Sequence, residues 1–117
     1  MANKNYIAGR NFEYKVKKYY EKQGFIVLRT SGSHGFADLI AVKNTQIFLS
    51  NGYFKKTIEF VQCKNRKPTK KEIKELNKFK WLEDKSISKN SSIEIKVVMV
   101  YPENLEEMIR EDSKYKL

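Results

Sequence analysis

Cysteine is nearly absent from the 117-residue sequence, where Cys63 stands alone. No intrachain disulfide is possible, a disulfide scaffold is excluded, and a reducing compartment fits best. His34 is the only histidine, and one His with one Cys cannot build a His-rich zinc site. Proline occurs at Pro68 and Pro102 alone, and glycine five times, which excludes collagen and low-complexity chains. No apolar run approaches the roughly 20 residues of a membrane span, so no membrane association is expected. The opening MANKNYIAGR has no apolar signal-peptide core. The expected location is cytoplasmic, or the host cytoplasm should the chain be viral. Acidic residues are also short, 14 Asp plus Glu against 24 Lys plus Arg, for a net charge of +10. Such an excess suggests a polyanionic partner, with solubility as the plainer explanation.

What is present can fold. The hydrophobic share is 40% and the aromatic share 13%, enough for one domain of this length. The expectation is a single domain over residues 1–117, with flexible ends at 1–6 and 111–117. Phe12, Val16, Tyr19 and Tyr20 recur at helical spacing and predict a first helix over 7–23, stopped by Gly24. Strand formers occupy 25–30, 36–43 and 57–64, with a short additional strand at 45–50 turning through Asn51-Gly52. Ser31-Gly32-Ser33-His34-Gly35 is a small-residue loop. After Pro68, Thr69 and Glu72 form a capping-box pattern. A second helix is expected from there to about Asp84, with its stripe at Ile73, Leu76, Phe79 and Leu82. A loop at 86–92, an apolar strand at 93–101 and a helix from Pro102 to about Arg110 complete the chain. The order α-β-β-β-α-β-α predicts an α/β fold, one mixed β-sheet flanked by helices.

Three positions do not fit a purely structural pattern. Asp38 lies in a segment apolar on both faces, where a carboxylate costs several kcal/mol unless paired or metal-bound. A strand-end Asp serving a neighbouring turn is the alternative. Gln62 and Lys64 end the face of a strand that begins with Ile58 and Phe60. If that strand pairs with the Asp38 strand, an acid, an amide and an ammonium converge. Otherwise Gln62 marks the strand leaving the core and Lys64 opens a basic loop. Glu13 borders the apolar stripe of the first helix, in line with Gly9, Val16 and Tyr20; charged residues at stripe edges are common.

Taken together, Gly9…Glu13, Gly24-Phe25, Arg29, Ser31-Gly32-Ser33-His34-Gly35, Asp38-Leu39-Ile40-Ala41 and Glu59-Phe60-Val61-Gln62-Cys63-Lys64 resemble the archaeal Holliday junction resolvases. These belong to the restriction-endonuclease-like, PD-(D/E)XK superfamily of metal-dependent nucleases, whose signature is an Asp followed by Glu-x-Lys on adjacent strands. The resemblance covers roughly residues 7–67. It implies a restriction-endonuclease-like sheet and a homodimer that nicks two opposed strands of a four-way DNA junction. It implies Asp38 as a metal ligand, Lys64 as the signature lysine, Glu13 as the acid of the first helix and Arg29 as a basic residue near the site. Ser31 or Ser33 would approach the scissile phosphate. His34 is read as a loop residue tolerant of unusual backbone angles, with phosphate contact as the other option.

Gln62 departs from the pattern, standing where the family has Glu. Its amide oxygen can coordinate a hard cation but brings no charge, so the site should hold Mg²⁺ less tightly. Glu59 points to the opposite strand face and cannot replace it; Glu13 is the candidate for the missing charge. The expected cofactor is Mg²⁺, with Mn²⁺ as substitute, held by Asp38, Gln62 and Glu13. Lys64 would orient the attacking water and stabilise developing negative charge. The expected activity is metal-assisted phosphodiester hydrolysis at four-way junctions. The alternatives are a related nuclease acting on nicked, flapped, single-stranded or duplex DNA, an RNA-processing nuclease, and a non-catalytic DNA-binding module with a decayed site.

Downstream of Lys64, the residues Arg66, Lys67, Lys70, Lys71 and Lys74 form a candidate phosphate-backbone track, with Arg10 adding charge on the first helix. A solvated helix face is the alternative. The apolar run Val97-Val98-Met99-Val100-Tyr101 is more apolar than a one-sided strand needs; it suggests either burial under the first helix or a dimer interface.

Overall fold

Helix α1 (Lys4–Lys22) opens the structure, a computed structural model that describes residues 4–30, 36–46, 54–88 and 91–114. Phe12, Val16 and Tyr20 repeat every four residues, share one stripe and are buried. Gly24 ends the helix with φ +92°. The Phe25 amide reaches Tyr20 O at 3.1 Å and the Gly24 amide reaches Glu21 O at 3.0 Å. This is a Schellman closure, sealed by the Tyr20 and Phe25 rings packed edge to face at 5.3 Å.

The strands are β1 (Ile26–Arg29), β2 (Leu39–Gln46), β3 (Phe54–Cys63), β4 (Ile87–Ser88) and β5 (Ser91–Val100). They form one mixed sheet in the order β1-β2-β3-β5-β4. β3 and β5 run parallel, and the other pairs are antiparallel. Helix α2 (Lys70–Asn77), a 3₁₀ turn (Lys80–Ser86) and helix α3 (Pro102–Lys114) complete an α/β fold in the expected order. No helix among the described residues is long and apolar enough to cross a membrane.

Two cores lie on opposite faces of the sheet. Val27, Leu39, Ala41, Val61 and Val100 pack with Phe12, Val16 and Tyr20 of α1 and Leu105 of α3. Val97 and Met99 pack with Leu76 of α2, joined by Phe36, Phe60, Phe79 and Leu82. Fully buried Leu39 and Val61 each contribute roughly 1.5–3 kcal/mol by leaving water. Alternating residues of β5 thus serve both cores. Its apolar run is consumed by burial within one chain, and none of it is needed to explain a dimer.

Several boundaries differ from expectation. The strands expected at 36–43 and 45–50 are not separate, because β2 begins at Leu39 and its ladder with β3 continues through Asn44↔Lys56 to Gln46↔Phe54. Pairing overrides the poor strand propensity of Asn44. The remainder of 45–50 and the Asn51-Gly52 turn lie outside the described residues. Within the expected loop at 86–92, Ile87 and Ser88 pair with Ser92 and Ser91. Helix α2 stops at Asn77 instead of reaching Asp84, and Ile73 of the expected apolar stripe is exposed. The 3₁₀ turn then lays side chains along the β5 edge: Lys80 Nζ donates to Val97 O at 2.7 Å, and the Val97 amide donates to Glu83 Oε2 at 2.9 Å. These side chains satisfy edge groups that β4 is too short to pair. Helices α1 and α3 extend into both segments expected as flexible ends.

Two consequences are measurable. Gly24→Ala forces a β-carbon into a left-handed conformation, 3.4 Å from Lys43 Cε. It should lower stability by about 1 kcal/mol, read as a lower urea midpoint with unchanged slope. Glu59 accepts the Tyr20 hydroxyl at 3.0 Å, and its burial raises its pKa above the ordinary 4.5, against the opposing Tyr20 hydrogen bond and Lys96. The folded chain therefore holds the Glu59 proton to higher pH than the unfolded chain, and this contribution to stability falls as pH rises from 4.5 through the raised value. Glu59→Gln keeps an acceptor for Tyr20 and removes the titration. It should be more stable than wild type at neutral pH, and the gain should vanish below 4.5 in urea melts across pH.

Candidate active site

The site gathers at the start of β2 and the end of β3, and local hydrogen bonds fix its approach. The Thr30 amide donates to Asp38 O at 3.0 Å. The Thr30 hydroxyl meets Ala37 O at 2.8 Å and Asp38 O at 3.1 Å. These bonds tie Thr30 to Ala37 and Asp38. Ser31, Ser33 and His34 lie outside the described residues. The Phe36 ring stacks on Phe79 at 4.1 Å and tilts against Phe60 at 5.8 Å. That stack anchors the chain entering β2.

Asp38 stands one residue before the β2 ladder, in a bend, and not inside a strand as expected. Its amide donates to Val61 O at 2.8 Å, and its carboxylate Oδ2 accepts the Cys63 amide at 2.7 Å. The carboxylate supplies an acceptor where β2 no longer offers one. Partial exposure and this hydrogen bond offset the cost of placing the Asp38 carboxylate here without requiring a metal. The strand-end alternative thus accounts for one oxygen; Oδ1 has no hydrogen-bond partner among the described residues.

Gln62 follows from the register. The ladder ends at Leu39↔Val61, Gln62 is the next residue of β3, and Asp38 bonds the Val61 carbonyl and the Cys63 amide on either side of it. Gln62 is half-buried, and among the described residues its amide makes no hydrogen bond. Glu13 comes from the opposite side, on α1, where Arg29 Nε donates to its Oε1 at 2.7 Å. Burial raises the Cys63 thiol pKa well above its ordinary value, with the Asp38 and Glu13 carboxylates pushing the same way. Both acids therefore act on one buried atom. Glu13 and Arg29 also line a cleft of about 280 Å³ with Arg10, Tyr14, Lys17 and Leu39. The larger cavity, about 670 Å³ between α1 and α3, has none of the expected site residues in its walls.

Lys64 leaves β3 with its amide on Val100 O at 2.9 Å. Its ammonium pairs with Glu72 Oε2 at 2.9 Å. Arg66 grips the same carboxylate through Nη1 at 2.8 Å and Nη2 at 3.2 Å. The capping box announced Glu72 as a helix residue; its role as partner of Lys64 and Arg66 was not legible, because nothing in sequence spacing brings them together. Among the described residues no hydrogen bond directly joins Asp38, Gln62 and Lys64. Arg10, Lys67, Lys70, Lys71 and Lys74 are exposed, and none makes an ion pair among the described residues.

The donor types suit a hard divalent cation, while strand alternation places Gln62 on the Phe60 face of β3 and turns Val61 and Cys63 toward α1, which carries Glu13. Asp38 Oδ1, Glu13 Oε2 and the Gln62 amide are oxygen or amide groups without hydrogen-bond partners among the described residues, the ligand chemistry Mg²⁺ prefers. The set carries two negative charges, and no cluster of three His, Cys, Asp or Glu side chains suited to a metal occurs among the described residues. No family model, no curated protein and no solved structure matches the chain.

The Cys63 amide reports on the Asp38 carboxylate directly. Titrating millimolar Mg²⁺ into ¹⁵N-labelled protein should shift the Cys63 amide resonance, and Asp38→Asn should abolish the shift. A Cys63 amide that ignores Mg²⁺ would rule out a cation at Asp38.

Proposed function

We propose that the chain is a Mg²⁺-dependent, structure-selective DNA endonuclease that nicks four-way junctions, with Mn²⁺ able to substitute. The observation that carries the reading is the pair of hydrogen bonds tying Asp38 to the end of β3, its amide on Val61 O and its carboxylate on the Cys63 amide, on either side of Gln62, with Lys64 two residues on along β3. An acid and an amide on paired strands, a lysine at the strand end and a second acid on the covering helix are the groups that phosphodiester hydrolysis asks for. The basic surface of α2 supports a nucleic-acid substrate.

Asp38 and Glu13 would hold the cation and Gln62 would orient it through its amide. When bound, Mg²⁺ polarises a phosphate oxygen and lowers the pKa of a water. Lys64 supplies positive charge toward the reacting phosphate and orients the attacking water. Lys67, Lys70, Lys71 and Lys74 would hold the backbone of one arm without reading bases, which suits recognition of shape. Paired nicking of opposed strands requires two sites, hence a homodimer. Ile26 and Leu28 of edge strand β1, 72% and 58% exposed, offer apolar surface for it.

A second reading has its own support. With Gln62 uncharged and no three-acid cluster among the described residues, a DNA-binding module that has lost catalysis uses the same basic surface.

One experiment separates the readings. Purified protein is incubated with end-labelled four-way junction and matched linear duplex, each with Mg²⁺ or EDTA. The expected result is symmetric paired nicks in the junction with Mg²⁺ only. Asp38→Asn should slow cleavage by on the order of 100-fold or more while junction affinity stays within about twofold. Full cleavage by that variant would exclude the site. Equal cutting of both substrates would indicate a nuclease of another specificity, and tight binding without cutting the non-catalytic module.

A further inference from the structure

Glu72 collects more positive charge than helix capping needs. Its Oε1 accepts the Thr69 amide at 2.9 Å, and the Glu72 amide donates to Thr69 Oγ1 at 3.2 Å. These two bonds complete the capping box of α2. Arg66 adds a bidentate grip at 2.8 and 3.2 Å, and Lys64 a further contact at 2.9 Å. Four donors occupy one carboxylate. Arg66 first, then the Thr69 amide and Lys64, hold the Glu72 pKa far below the usual carboxylate range. A carboxylate so engaged has little capacity left for a metal ion. It is suited instead to holding cations still.

The cations it holds differ from their neighbours. Lys64 is half-buried at the end of β3, and a lysine has a long, flexible stem that otherwise lets its ammonium wander. The exposed lysines of α2, Lys70, Lys71 and Lys74, make no ion pair among the described residues.

We propose that Glu72 is a positioning residue: it fixes the Lys64 ammonium at the end of β3 and withholds Lys64 and Arg66 from general phosphate binding. The catalytic half of this rests on the nuclease reading; the electrostatic half does not.

Glu72→Gln tests both halves, because glutamine can complete a capping box but carries no charge. Thr69→Ala is the control that weakens the cap and leaves the charges. Junction affinity is measured by fluorescence anisotropy over a NaCl series, and cleavage by single-turnover kinetics with Mg²⁺. Each cation freed to meet phosphate steepens the slope of log affinity against log salt by about 0.9. Glu72→Gln should therefore bind more tightly at low salt, with a slope steeper by about 1–2, while cutting roughly 10- to 100-fold more slowly. A residue serving the fold alone would weaken binding and cleavage together. An unchanged salt slope overturns the proposal, as does cleavage at the wild-type rate. So does a joint loss of binding and cleavage that Thr69→Ala reproduces, which would assign Glu72 to capping alone. If wild-type protein cuts no substrate, the nuclease reading fails, and the salt slope alone decides whether Glu72 restrains the two cations.

Discussion

The antiparallel register between β2 and β3 is the constraint on which the rest depends. Leu39 opposite Val61 sends two fully buried side chains into the core beneath α1. A slip of one residue would turn them to the other face, out of this core and into the differently shaped one beneath α2. The same register brings the entrance of β2 to the end of β3, where Asp38 bonds the Val61 carbonyl and the Cys63 amide on either side of Gln62. Burial of Leu39 and Val61, worth a few kcal/mol in all, is far larger than any gain from aligning two polar groups. The site geometry is thus a by-product of core packing, and the Cys63–Asp38 hydrogen bond refines it at one point.

That arrangement explains why the polar residues tolerate their surroundings. Asp38 lies past the last ladder pair, where β3 has a surplus amide and β2 has no carbonyl to meet it. Glu13 lies at the edge of the α1 stripe and is neutralised by Arg29 from β1. Lys64 lies past the end of β3 and is neutralised by Glu72 from α2. Each charged group sits where a regular element ends or a stripe meets solvent, and each has a partner from another element. No buried side-chain polar atom among the described residues lacks a hydrogen bond. The candidate site therefore brings no isolated buried charge into the fold.

Much of this was legible in the residues. Phe12, Val16 and Tyr20 declared the buried face of α1, Gly24 its end, and Thr69 with Glu72 the start of α2, because each signal is local and acts through main-chain geometry. The end of α2 was not legible. Phe79 and Leu82 keep helical spacing, but the bond that Lys80 donates to Val97 O and the one that Glu83 accepts from the Val97 amide draw the chain into a 3₁₀ turn, and Val97 is distant in sequence. The early part of β2 was misplaced for the same reason: an apolar run does not reveal where pairing begins, and Phe36 belongs to an aromatic stack and not to the ladder. At the site, strand alternation made Gln62 and Lys64 conspicuous. The partners Cys63 amide, Thr30 and Glu72 stayed hidden, because the ladder and the turn after β3 bring them in.

The distribution of charge ties the fold to the proposed chemistry. A net charge of +10 draws in any polyanion, and an indiscriminate surface would bind DNA in many orientations. Here the basic groups divide in two. Arg29, Lys64 and Arg66 are each held by a carboxylate, which costs attraction and gains geometry. Lys67, Lys70, Lys71 and Lys74 are exposed and without ion pairs among the described residues, so they contribute attraction and little geometry. A phosphodiester brought to the surface by the second group can be oriented by the first only if the two are rigidly linked. Glu72 is that link: one side chain caps the helix carrying the exposed lysines and grips the two cations that leave β3.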